Sequence, residues 1–405
     1  MIKTFTKLLG TCATLSLITM SGVSHAADCS SNPVNPNGNT SQLQNALQQA
    51  TNTGKALRLT GTYYISSDTK VYLKKDLVVD ATGAKFIATS NLDGDMFSFD
   101  AHTTKSNECN SANTLANFTW KGGDFNMANA KVSKVVPITS KTPAGREGTA
   151  STADALSIRG ANNSNNTNKV NVLLIENITF TGTKNSNDPY YLAGGDSGIL
   201  MTGTLKATIR NNKFYGVRDA AVYLSAGGDR GQYGDHFTIS NNHVERAYDA
   251  FTSKRGADNI KMNNNTMDDV IVGLSIKRVY DGWTATNVKI LNNTITNAVR
   301  PISVERANNV TITGNHISGL GAVVGGSTRA TNIYGQQYEG IALNGVQGTN
   351  LVSGNTIKGI TGVASRESET TTWGIVTREE DGRETTGDTI TNNTFSKLDK
   401  WVKRL

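Results

Sequence analysis

The chain repeats a short pattern of apolar and polar positions from about residue 175 to its end. The stretches "IRNNKF" (209–214), "ISNNHV" (239–244), "MNNNTM" (262–267), "ILNNTI" (290–295), "ITGNHI" (312–317), "VSGNTI" (352–357) and "ITNNTF" (390–395) share the template apolar-x-x-Asn-x-apolar. The shared asparagines Asn212, Asn242, Asn265, Asn293, Asn315, Asn355 and Asn393 recur at intervals of 22 to 40 residues, a minimal turn with variable insertions. Between them runs a second template, small-apolar-x-apolar: "GILM", "AVYL", "AFTS", "GLSI", "PISV", "GIAL", "GIVT". Period-2 runs this short cannot bury a face alone, but coiling them stacks their inward residues into one core. The prediction is an all-β fold, a single right-handed parallel β-helix with about 4.8 Å between coils. Asparagine at the turn tolerates the left-handed backbone of a tight bend, and stacked copies can bond to one another.

The ends differ from the repeat. "NTSQLQNALQQATNTG" (39–54) starts with capping residues, sets Leu43, Ala46, Leu47 and Ala50 on one helical face and stops at glycine, so it predicts a short helix over the first coil. "SKLDKWVKRL" is expected to cover the other end through Leu398, Trp401, Val402 and Leu405. Residues 1–26 read as an export signal: basic Lys3 and Lys7, an apolar run from Leu8 to Met20, then Ser24-His25-Ala26. That leaves one domain over 27–405, periplasmic or secreted, monomeric and without a membrane span. Cys29 and Cys109 then make one disulfide the economical expectation in an oxidising compartment.

Aligned on the second template, three outward columns emerge. One runs Arg159, Thr202, Ser225, Lys254, Lys277, Glu305, Asn344, Arg378; beside it run Arg255, Arg278 and Arg306; before the small residue lie Asp154, Asp249, Arg300, Glu339 and Trp373. Lys254 and Lys277 are expected one coil apart on one face. The longest insertions, roughly 181–197, 318–339 and 358–373, run into this strand and carry Tyr338 and Trp373, while the loop after Lys277 carries Tyr280 and Trp283. Such rings beside polar groups make a sugar-stacking surface. The net charge is +7, about +5 without the two leader lysines, and no basic run is concentrated enough for nucleic acid, so an acidic polysaccharide is the expected partner. Two stacked ammonium groups would lower the pKa of one toward a useful base, and Arg255, Arg300 and Arg306 would hold carboxylates. Exposed ion pairs are the competing explanation of the same columns.

The rung "FTSK" followed one turn later by "GLSIKR" resembles the alginate lyase and chondroitinase B family of parallel β-helix polysaccharide lyases. The resemblance implies Lys254 as the base for the C5 proton, with Lys277 or Arg278 in the place of the family's arginine. It also implies calcium near the substrate carboxylate, for which Asp249 matches one ligand and Ala247 matches none; no cofactor follows with certainty. "QYGDHFTISNNHVERAYDAF" is similar to the mannuronan C5-epimerase family, which offers Tyr233 and His236 as a second acid and base. The expectation is a β-eliminating lyase, with a C5-epimerase or a non-catalytic carbohydrate-binding protein as alternatives.

Overall fold

The computed structural model describes residues 40–101, 116–131, 136–137, 153–160, 170–182, 192–193, 197–225, 234–254, 257–277, 284–321, 337–360 and 371–404. They form a parallel β-helix. One sheet, here the flank sheet, holds eleven strands in chain order, from Leu57–Arg58 through Gly234–Ser240, Ala257–Asn263 and Ala285–Leu291 to Asp388–Thr391. Each strand pairs with its counterpart one coil on, as Lys261 with Lys289 and Ile290 with Ile312. After an asparagine corner the chain enters a longer strand such as His243–Lys254, Thr266–Lys277 or Thr294–Glu305. A left-handed residue bends each of these: Arg246, Asp269 and Asn297 all have φ between 50° and 59°. The part beyond the bend belongs to a second face, the trough sheet.

Two adjacent residues share the work at the asparagine corner. The left-handed backbone falls on the residue before the marker, at Asn211, Asn241, Asn264, Asn292, Gly314, Gly354 and Asn392. The marker asparagines turn inward and form a buried ladder. Asn242 donates its backbone N–H and its side-chain amide to Oδ1 of Asn265, both at 3.0 Å, and Asn265 does the same to Asn293 at 2.9 and 3.0 Å. Each amide also donates to a flank-strand carbonyl, as Asn265 does to Ile239 at 3.0 Å. The corner thus satisfies its backbone donors without water, which a buried turn requires.

The small residue of the second template has a steric cause. At Gly273 a methyl group would stand 2.4 Å from the carbonyl oxygen of Pro301 on the next coil, closer than any real contact. The core is one continuous apolar column. In the first coils, where the asparagine template is missing, Phe86, Phe97, Phe99, Phe118, Trp120 and Phe125 fill it with rings 4.9 to 6.5 Å apart.

The helix Thr40–Thr53 covers the first coil with Leu43, Leu47 and Ala50 buried. Gln48 ties it down by donating to the Tyr72 carbonyl at 2.9 Å and accepting from the Tyr72 N–H at 2.8 Å. At the far end the segment expected to cover the core takes the form of a strand. Lys400–Arg404 is itself a strand of the last described coil, paired in register with Trp373–Thr377. Trp401 is 63% exposed and stacks on Phe395, which with Leu398 packs against the core cluster. Among the described residues no helix is long and apolar enough to cross a membrane. The leader, Cys29, Cys109 and Leu405 lie outside the described residues.

Candidate functional site

The alternation of each trough strand decides what faces outward. Phe251, Leu274 and Ile276 belong to the core cluster, so strand alternation sets Thr252 and Lys254, and on the next coil Ser275 and Lys277, on the opposite side, although Thr252 and Ser275 are themselves fully buried. Lys254 and Lys277 are direct register partners, and Ser225 is the partner of Lys254 on the preceding coil. Between the columns the floor is made of small hydroxyl residues, where Ser275 donates to the Thr252 hydroxyl at 2.9 Å. Thr252, Ser275 and Ser303 are buried.

The two lysines have different surroundings. The Lys254 ammonium stands 4.3 Å from the centre of the Tyr223 ring, a cation–π contact along the trough. The Lys277 ammonium donates to Oδ2 of Asp249, a carboxylate only 1% exposed that lies diagonally one coil back. A carboxylate so buried requires a cation, because its desolvation costs several kcal/mol. The two ammonium groups therefore do not meet as a bare like-charged pair, which corrects the expected route to a base through mutual repulsion. Further along, the same device recurs: Glu339, also 1% exposed, accepts from Arg378 and lies 3.6 Å from Arg300. Arg300 is thereby engaged with Glu339, on the trough face as expected.

The trough extends toward the first coils as an acidic network. Asp100 is the register partner of Arg159, and Tyr72 that of Asp100. Asp95 accepts from Arg159 at 2.7 Å, from Ser98 at 2.9 Å and from the Asp154 N–H at 3.1 Å. The Ser98 hydroxyl is also 3.0 Å from Asp68. Burial, then the charge of Asp95, holds the Asp154 carboxyl well above the usual range, with Ser197 opposing. The same two causes push Asp68 up to about 6.

The remaining expected residues fall into three groups. Trp373 lines the trough beyond Glu339, its register partner, with the Lys403 ammonium 4.9 Å from its ring. Arg306 sits at the corner after the trough strand with φ 47°, where Gly203 and Gly345 adopt 58° and 60° on other coils. Tyr338 is buried within the apolar cluster, which corrects its expected place as an exposed stacking ring. His236 lies around the corner on the flank strand Gly234–Ser240, its Nδ1 2.7 Å from Asp235, and is not brought to the trough face with Lys254. Tyr233, Arg255, Arg278, Tyr280 and Trp283 lie outside the described residues. Asp249 does not fit a calcium ion, since the Lys277 ammonium occupies its carboxylate, and no group of three metal-ligating side chains occurs among the described residues. Sequence reasoning missed Tyr223 and Asp95. The second template "AVYL" already placed Tyr223 two positions before Ser225 on the outward face, whereas the first coils carry no asparagine marker from which to align Asp95.

The right-handed β-helix region family matches residues 150–329. No curated protein sequence matches the chain. Among solved structures, the Azotobacter vinelandii mannuronan C-5 epimerase AlgE6 A-module is similar over 92% of this chain and 95% of its own, with TM-score 0.50 and 14% identity. The Streptococcus pneumoniae surface protein and adhesin PfbA matches over 92% and 98%, with TM-score 0.46 and 13% identity. The Dettilon tailspike protein matches over 91% and 66%, with TM-score 0.40 and 13% identity. At these identities the likeness establishes the fold alone.

Proposed function

We propose that the protein is an exported enzyme that cleaves an acidic, uronate-containing polysaccharide by β-elimination in the trough. The observation that supports this most is the outward pair Lys254 and Lys277, in register on adjacent coils beside Tyr223. In the proposed reaction the Lys254 amine removes the C5 proton. The Lys277 ammonium, held by Asp249, faces the substrate carboxylate and the negative charge that develops on it. The C4–O bond then breaks, the C4–C5 double bond forms, and the leaving glycosidic oxygen takes a proton from the Tyr223 hydroxyl. Trp373 offers a stacking face further along the trough.

A second reading shares the first step. If the proton returns to the opposite face of C5 and the C4–O bond survives, the product is the C5 epimer; the likeness in fold to a mannuronan C-5 epimerase favours keeping this reading. Incubation with alginate, pectate and hyaluronan in deuterated water separates the cases. A lyase produces chain ends that absorb in the near ultraviolet. An epimerase incorporates deuterium at C5 at constant chain length. Neither signal on any polymer would contradict both readings and leave a binding protein.

A further inference from the structure

The flank sheet carries a second concave surface, a groove of about 420 Å³ lined by His236, Thr238, Lys261, Lys289, Thr311 and the amide column Asn259, Asn287 and Asn309. It lies around the corner from the trough and uses none of the trough residues. Lys261 and Lys289 are register partners with exposed side chains, so their stems leave the sheet about 4.8 Å apart on adjacent coils. Beside them, Asn259, Asn287 and Asn309 all adopt left-handed backbone, with φ from 53° to 56°, and stand in a second ladder. Asn287 donates to Asn259 at 3.2 Å and Asn309 to Asn287 at 3.3 Å. Asn287 and Asn309 each use one amide N–H in the ladder, Asn259 uses one on Asp235, and a primary amide carries a second N–H. His236 closes one end, and Lys206 on the preceding coil adds its charge there.

Among the described residues that line the groove there is no carboxylate. The nearest ones are already engaged: Asp235 with His236 and Asn259, and Asp258 with the Thr286 hydroxyl. Burial pushes Asp235 up, but Asn259 and His236 outweigh it and hold its carboxyl below the usual range. What faces solvent along the groove is the ammonium pair of Lys261 and Lys289 with amide and hydroxyl donors beside it, the half-exposed Asp235 carboxylate lying at the His236 end. That combination suits carboxylates alternating with sugar hydroxyls, and among the described lining residues His236 is the only ring for a nucleobase to stack on.

We infer that this groove is a second, non-catalytic binding site for a stretch of acidic polysaccharide, separate from the trough. The inference concerns binding only, so it stands or falls independently of any turnover in the trough, although the class of ligand is shared with the proposed function. The test is affinity electrophoresis of the full chain through gels cast with alginate, pectate, neutral dextran or single-stranded DNA. The Lys254→Ala background keeps the embedded polymer intact. The expected result is retardation in alginate or pectate that weakens with salt, and at least a fivefold loss of apparent affinity in the Lys261→Gln/Lys289→Gln variant. The Lys261→Arg/Lys289→Arg variant is expected to retain most of the retardation. Equal retardation of parent and glutamine variant, no retardation in either uronate gel, or equal or stronger retardation in dextran or DNA would overturn the inference.

Discussion

The asparagine corner and the trough are both columns of stacked polar residues, yet they use their polar atoms differently. In the corner the coils from Asn212 onward repeat the same residue, and each amide is consumed by the coil above or below, as Asn242, Asn265 and Asn293 show. In the trough the residue changes from coil to coil, and buried carboxylates reach diagonally to long cations, Asp249 to Lys277 and Glu339 to Arg300 and Arg378. The corner leaves nothing to offer a ligand. The trough keeps charged and aromatic groups at its surface. Between these two columns, repetition marks what holds the coils together, and departure from it marks where chemistry can be placed.

This contrast can be broken by substitution. The largest effect on stability is expected at Lys277. Lys277→Ala withdraws the ammonium from a carboxylate that is 1% exposed and should cost about 3 kcal/mol in denaturant unfolding. Adding Asp249→Asn should recover much of that loss, and additivity of the two changes would show that the pair is not coupled. Asn265→Ala comes next, at about 2 kcal/mol, because it orphans the Asn242 amide donors within a buried ladder. Here no single second substitution should rescue, since the lost bonds belong to two neighbours.

The smallest and most pH-dependent effect is expected at Asp154. Its folded carboxyl holds a proton well above the pH, near 4, at which the unfolded one releases it. In that window the native state binds the extra proton, so stability falls as pH rises. Asp154→Asn removes this penalty. Its melting temperature should exceed the parent's at pH 7 and converge with it below pH 4, and a constant difference at all pH values would contradict the assignment.

The same contrast explains what the sequence disclosed. The asparagine intervals made the coil legible, and the outward alternation made the register of Lys254 with Lys277 legible, because both follow from backbone periods. Alignment into columns does not reveal which way a long side chain leans, so the diagonal attachment of Lys277 to Asp249 was hidden. The division of labour between Asn264 and Asn265 was hidden too, since neighbouring residues of one type look interchangeable. The first coils could not be aligned, for their core is built by Phe86, Phe97 and Trp120 instead of an asparagine corner. The apolar residues of "SKLDKWVKRL" suggested a covering segment but did not disclose its conformation, which strand pairing with Trp373–Thr377 sets.

The central claim is that Lys254 acts as a base and not merely as a positive charge over Tyr223. The most direct measurement is the initial rate of near-ultraviolet absorbance on the uronate polymer that the parent cleaves, compared among parent, Lys254→Ala and Lys254→Arg at equal folded concentration. The account predicts at least a hundredfold loss in both variants, because arginine keeps the charge but cannot accept the proton at neutral pH. Parent-like rates in Lys254→Arg, or an active Lys254→Ala, would contradict it.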